Sequence, residues 1–134
     1  MHEPARRTVL IADDHPLFRA ALRRALEEAV GAAEVIEAAD VESLRAAAAR
    51  APDTDLVLLD LMMPGIDGIE VCRGLKADKN SRHIRVIAMT GYPSDANQSA
   101  MIGVGAETCL SKPIDHERLL DAIGSPLLRA APAG

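Results

Sequence analysis

The chain has 134 residues with 15 basic and 20 acidic side chains, a formal net charge of −5. That size fits one globular domain, and that charge excludes nucleic-acid binding through phosphate neutralisation alone. One Phe, one Tyr and no Trp exclude base-stacking platforms and aromatic cages. No apolar run approaches the ~18 residues of a membrane span, and no charged-then-apolar leader opens the chain. A soluble, cytoplasmic protein with no membrane and no direct nucleic-acid partner is expected.

In chain order, the first predicted strand is Thr8–Ala12, almost continuously apolar, as in a strand covered on both faces. A helix is predicted over Leu17–Val30. Phe18, Ala21, Leu22, Ala25, Leu26, Ala29 and Val30 form its apolar stripe, Arg19, Arg23, Arg24, Glu27 and Glu28 its polar face, and Gly31 its stop. Glu34–Ala38 is a mixed run suited to a sheet edge. Asp40 is placed to cap a helix over Val41–Arg50 that Pro52 ends. Leu56–Leu59 is a third, wholly apolar strand. Asp67-Gly68-Ile69-Glu70 has the spacing of a capping box and opens a helix that turns Ile69, Cys72 and Leu75 inward. Arg85–Met89 is the fourth strand.

The fourth helix, Ser94–Val104, has poor intrinsic propensity because of Asp95, Asn97, Gln98, Ser99 and Gly103. A very short fifth strand covers Thr108–Leu110. The fifth helix, about His116 to Leu128, carries Leu119, Leu120, Ile123 and Leu127 on one side, and Gly124 and Pro126 trouble its last turn. Cys72 and Cys109 form no CxxC pattern and read as small buried hydrophobes in a reducing compartment. Met62, Met63, Met89 and Met101 read as core and loop filling.

Strict alternation of strand and helix selects an α/β fold with a parallel, doubly wound sheet. Ligands of such sheets sit beyond the C-terminal strand ends, where the strand order reverses. Asp13 and Asp14 follow the first strand, Asp60 the third, Thr90 the fourth and Ser111-Lys112-Pro113 the fifth. Three carboxylates gathered on one rim repel unless a hard divalent cation joins them, and Mg²⁺ suits that donor set. Taken singly, Asp14 is a helix cap and Asp60 a loop carboxylate; as a trio they point to a cation site. A phosphoryl group on a carboxylate needs compensating charge and a hydroxyl donor, which Lys112 and Thr90 can supply. Asp60, ending a central buried strand, is the candidate acceptor. Lys112–Pro113 is a candidate cis bond. Each of Thr90 and Lys112 alone is an ordinary strand-end or loop residue.

The motifs Ile11–Arg19 (IADDHPLFR), Leu56–Val71 (LVLLDLMMPGIDGIEV), Val86–Gly91 (VIAMTG) and Leu110–Asp115 (LSKPID) resemble the receiver domain of two-component response regulators. The resemblance spans nearly the whole chain, with a receiver expected over residues 5–128 and a tail or the start of a linker at 129–134. It implies a flavodoxin-like sheet of five strands in the order 2-1-3-4-5 with five flanking helices. It further implies Asp60 as phospho-acceptor, and Asp13 and Asp14 as Mg²⁺ ligands together with Asp60 and the carbonyl of Met62. Thr90 and Lys112 match the two phosphoryl-contacting switch residues. The implied partner is a sensor histidine kinase or phosphotransfer protein, with a homodimer face made by the fourth helix, fifth strand and fifth helix. His15–Arg19 looks most like receivers attached to LuxR-type helix-turn-helix outputs, hence transcription regulation.

One departure concerns Cys109, which stands where receivers commonly carry Tyr or Phe, three residues before the lysine. Tyr92 then either substitutes for that aromatic, guards the site against water, or is a partly buried loop aromatic without a role. Bulky, non-acidic Met62 and Tyr92 lead us to expect a long-lived phosphoform. The rival reading is a phosphate-insensitive interaction module. A hydrolytic enzyme is disfavoured, because Met62 occupies the position where a second carboxylate would act as general acid/base and no Gly-rich nucleotide loop is present. His2, His83 and His116 share no ligand spacing, and His15 is expected to be a solvated loop histidine.

Overall fold

The computed structural model describes residues 7–30, 33–63, 67–92, 94–124 and 127. Ten elements alternate: β1 (Arg7–Ala12), α1 (Pro16–Ala29), β2 (Ala33–Ala38), α2 (Val41–Arg50), β3 (Leu56–Asp60), α3 (Gly68–Ala77), β4 (Arg85–Thr90), α4 (Asp95–Gly103), β5 (Thr108–Ser111) and α5 (His116–Ile123). All strand pairs are parallel and the order is β2-β1-β3-β4-β5, as the resemblance implied.

Side-chain alternation along the strands divides the core into two layers. Leu10, Ala12, Val57, Leu59, Val86 and Ala88 face α2, α3 and α4, meeting Leu44, Val71, Cys72, Leu75 and Met101. Val9, Ile11, Leu56, Leu58, Ile87 and Met89 face α1 and α5, meeting Leu22, Leu26, Leu119 and Ile123. The central strands are buried on both sides, which is why their sequences lack alternation. The strand order reverses between β1 and β3, so Asp13 and Asp60 sit at the switch point.

Several element ends differ from expectation. The capping box forms at α2, where Asp40 accepts the Ser43 N–H and the Ser43 hydroxyl closes back on Asp40; these bonds hold the Asp40 carboxyl below its ordinary range. At α3, by contrast, Asp67 accepts only the Ile69 N–H, and Glu70 pairs with Arg73 instead of reaching back to the cap. The residue before α1 is His15, which gives no side-chain cap, so Asp14 is not spent on that role. Helix α4 forms despite poor propensity because Ser94 caps it through the Asn97 N–H and Met101 is fully buried. Helix α5 stops at Ile123, short of Leu128, where Gly124 takes φ +83° in the region that favours glycine.

Cys72 is buried and its thiol donates to the Val104 carbonyl at 3.6 Å, whereas Cys109 is only partly buried. Burial pushes both thiols up, consistent with unreactive small hydrophobes. Gly31, His2, residues 5 and 128 as domain limits, Pro126 and the tail at 129–134 lie outside the described residues.

Candidate functional site

The switch-point rim is built from the bottom up by strand ends. Asp13 leaves β1 with its N–H donating to the Ala38 carbonyl, and its side chain is fully buried. Its Oδ1 accepts the His15 N–H at 2.8 Å and its Oδ2 accepts Lys112 Nζ at 2.6 Å. Asp60 ends β3, 1% exposed; its Oδ1 accepts the Met62 N–H at 3.0 Å and its Oδ2 lies 3.3 Å from Lys112 Nζ. Lys112 follows β5 over a cis peptide to Pro113. Its N–H donates to the Thr90 carbonyl at 2.7 Å, and its ammonium rests 4.2 Å from the centre of the Phe18 ring. One cation thus bridges two buried carboxylates brought from residues 99 and 52 positions away.

Among the described residues no hydrogen bond reaches the buried Asp14 Oδ1, a costly arrangement for a charged oxygen. Ligand atoms of Asp13, Asp14, His15 and Asp60 lie within 4.8 Å of one another. The cluster could hold a metal: hard carboxylates, one of them short of a donor, fit a hard divalent cation.

Two residues beyond the expected set belong here. His15 is 64% exposed, as expected of a solvated loop histidine, and its Nδ1 also lies 3.2 Å from both Asp13 Oδ1 and Asp14 Oδ1 and 4.0 Å from Asp60 Oδ2. Arg19, expected to lie on the polar face of α1, donates to the Asp13 carbonyl at 2.7 Å and to Glu37 Oε1 at 2.8 Å. One turn of helix after His15, it clamps the backbone of the acidic pair. An arginine at that spacing from a strand-end carboxylate is the signal that could have revealed it.

Of the other expected residues, Met62 meets the carboxylates through its backbone N–H on Asp60, and the rest stand apart from them. Thr90 is fully buried and its Oγ1 accepts the Tyr92 N–H at 3.0 Å; among the described residues no hydrogen bond joins it to Asp60. By alternation Thr90 shares the side of Ala88, and Asp60 that of Leu56 and Leu58. Tyr92 is 72% exposed, which overturns the reading of a partly buried loop aromatic. Met62 is half exposed. Cys109 packs against the α2, α3 and α4 layer, away from the carboxylates.

Glu37 links this rim to acid stability. Hydrogen bonding from Arg23, partly offset by burial and aided by Arg19, holds its carboxyl below the usual range. Its charged form therefore favours the fold above the unfolded-state pKa, and that contribution is lost as pH falls through the lower folded pKa. Glu37→Gln is expected to lose about 1 kcal/mol at neutral pH. The gap to wild type should narrow as pH falls below the ordinary carboxylate range, read by urea unfolding across that range.

A family model of the response regulator receiver domain matches residues 9–124. The nitrate/nitrite response regulator protein NarP of Escherichia coli (strain K12) is 39% identical over 115 residues, covering 86% of this chain and 52% of NarP. The chain therefore spans about half the length of that relative. The polar-differentiation response regulator DivK of Brucella ovis is 35% identical over 121 residues, covering 90% of this chain and 96% of DivK. Among solved structures, the signal receiver domain of a DNA-binding response regulator (merR) from Colwellia psychrerythraea 34H superposes with a TM-score of 0.83 at 34% identity, covering 87% of this chain and 94% of that one. The chain belongs to the response regulator receiver domain family.

No helix among the described residues is long and apolar enough to cross a membrane.

Proposed function

We propose that this chain is a phosphorylation-controlled switch in which Asp60 takes a phosphoryl group from the phosphohistidine of a sensor kinase or phosphotransfer protein. A carboxylate oxygen of Asp60 forms the new P–O bond as the P–N bond breaks and its electron pair returns to the donor imidazole. Asp13, Asp14 and Asp60, with the Met62 carbonyl, would hold Mg²⁺, which when bound supplies positive charge against the phosphoryl oxygens.

The chain's own groups do the rest. Lys112, lying between Asp13 and Asp60, is within reach of a new anion on Asp60 and would exchange its bond to Asp13 for one to phosphoryl oxygen. Thr90 would give up its contact with the Tyr92 N–H and donate its hydroxyl to the same group. Both movements pull on the β4–α4 and β5–α5 connections, altering the face made by α4, β5 and α5, which is the proposed partner and homodimer surface. The domain acts as an acceptor and signal carrier in the cytoplasm, not as an enzyme turning over a substrate. An output in transcription is the extension suggested by its likeness to NarP.

The observation that carries this reading is Asp60: a buried, strand-end carboxylate held 3.3 Å from the one lysine that also binds Asp13. Treatment with acetyl phosphate and Mg²⁺ is expected to add one phosphoryl group to the wild type by intact mass, and none to Asp60→Asn. A wild type that gains no more than the variant leaves the phosphate-insensitive interaction module as the function.

A further inference from the structure

We propose that the cleft between α2 and α3 binds a small organic carboxylate with a slim apolar tail, at a site separate from the carboxylate rim. None of the residues lining this cleft belongs to that rim.

The cleft has a volume of about 670 Å³, within the range of about 300–1,000 Å³ usual for small-ligand sites. It stays open because the residues facing each other across the two helices are small. Ala48 and Ala49 stand on α2, and on α3 a Cβ added to Gly74 would meet nothing within 4 Å. The floor is apolar and deep: Leu44, Ala48, Val71 and Leu75 line it, all of them buried. A narrow apolar floor suits a single alkyl chain. A protein partner would need a broad apolar rim, and the large exposed apolar side chains, Leu17, Met62, Tyr92 and Ile102, all lie elsewhere.

The rim sets the charge of the occupant. Arg45 of α2 and Lys79 just after α3 stand against one carboxylate, Asp78, with His83 beside them, so the lining is net positive in a chain of net −5. Asp78 is partly spent, because its Oδ1 accepts the Asn80 N–H at 2.8 Å. Arg45, Lys79 and His83 are exposed, and among the described residues no hydrogen bond or ion pair holds them. The carbonyls that end α3 would repel an anion if left bare, but they are answered within the chain. The Gly74 carbonyl accepts the Asp78 N–H, the Leu75 carbonyl accepts the Ser81 hydroxyl at 2.7 Å, and the Asp78 carbonyl accepts the Arg82 N–H at 2.8 Å. The free donors at the mouth of the cleft are therefore cationic, which matches a carboxylate head above a buried tail.

The test titrates sodium octanoate and, as its neutral analogue, 1-octanol into the intact chain, followed by two-dimensional amide NMR and by thermal unfolding. Octanoate should shift the amides of Ala48, Gly74 and Asn80 saturably, with a dissociation constant of about 1 mM, and should raise the unfolding temperature. Octanol should bind about ten-fold more weakly. Gly74→Leu, which fills the cleft from an exposed helix position, should abolish the octanoate shifts. Arg45→Gln combined with Lys79→Gln should lose about ten-fold in octanoate affinity and none in octanol affinity. Wild-type amides that do not move at about 10 mM octanoate, or shifts that persist in Gly74→Leu, would overturn the site. Octanol binding as tight as that of octanoate, or an unchanged octanoate affinity in the double variant, would overturn the carboxylate class.

Discussion

Lys112→Met is expected to be about 3 kcal/mol less stable than wild type in EDTA, and to recover much of that loss in Mg²⁺. The ammonium bonds Asp13 at 2.6 Å and lies 3.3 Å from Asp60, whose side chains are 0% and 1% exposed. Methionine keeps most of the apolar stem but removes the charge that rests over the Phe18 ring. Two buried carboxylates would then face each other, with a third, Asp14, nearby and its Oδ1 without a hydrogen bond among the described residues. Removing one partner of a buried pair costs more than the pair itself contributes, because the remaining charge is stranded.

A divalent cation that binds the folded carboxylates and not the unfolded chain restores stability by mass action. The variant should gain more from Mg²⁺ than wild type does, since the ammonium no longer competes for Asp13 and Asp60. Thermal or urea unfolding of both proteins with EDTA and with Mg²⁺ reads this directly. A variant as stable as wild type in EDTA would mean that the lysine bridge contributes nothing to the fold. The same variant should capture phosphate from acetyl phosphate slowly, because the group that answers the charge on Asp60 is gone.

Much of this arrangement was legible in the sequence because it is carried by backbone periodicity. Short apolar runs such as Leu56–Leu59, bounded by turn residues and alternating with helices, read as central strands, and residues immediately following such strands converge at one rim whatever their side chains do. Asp13, Asp14, Asp60 and Lys112 follow from that logic. What the sequence did not disclose is which way flexible groups turn once they arrive. His15 and Tyr92 are both exposed loop residues, yet one stands beside three carboxylates while the other stands out in solvent. Glu70 has capping-box spacing and still pairs with Arg73, since a neighbour one turn on competes for the same carboxylate. Amphipathic patterning assigns a polar residue such as Arg19 to solvent by default, and only the tertiary approach of β2 and the β1 end gives it Glu37 and the Asp13 carbonyl.

Gly68→Ala should disturb the site more than its small size suggests, and Gly74→Ala supplies the contrast within the same helix. A Cβ on Gly68 would stand 2.8 Å from Leu61 Cδ2 and 2.9 Å from Leu61 Cα. The side chain could swing aside, but the backbone atom cannot, because the Leu61 N–H is bonded to the Met89 carbonyl at 2.9 Å. The clash must be relieved by lifting the start of α3 or by dragging the chain that follows Asp60. Either movement strains the Met62 N–H bond that orients Asp60 Oδ1. Overpacking of this kind costs about 1–3 kcal/mol, only partly offset by the better helix propensity of alanine. At exposed Gly74, where a Cβ meets nothing within 4 Å, the same change should stabilise by about 0.5–1 kcal/mol. Urea unfolding should therefore shift in opposite directions for the two variants. Calorimetric Mg²⁺ affinity should fall for Gly68→Ala and hold for Gly74→Ala, since only the first moves the segment that aims the β3 carboxylate. Matching Mg²⁺ affinities in the two variants would show that the Leu61–Gly68 contact does not position Asp60.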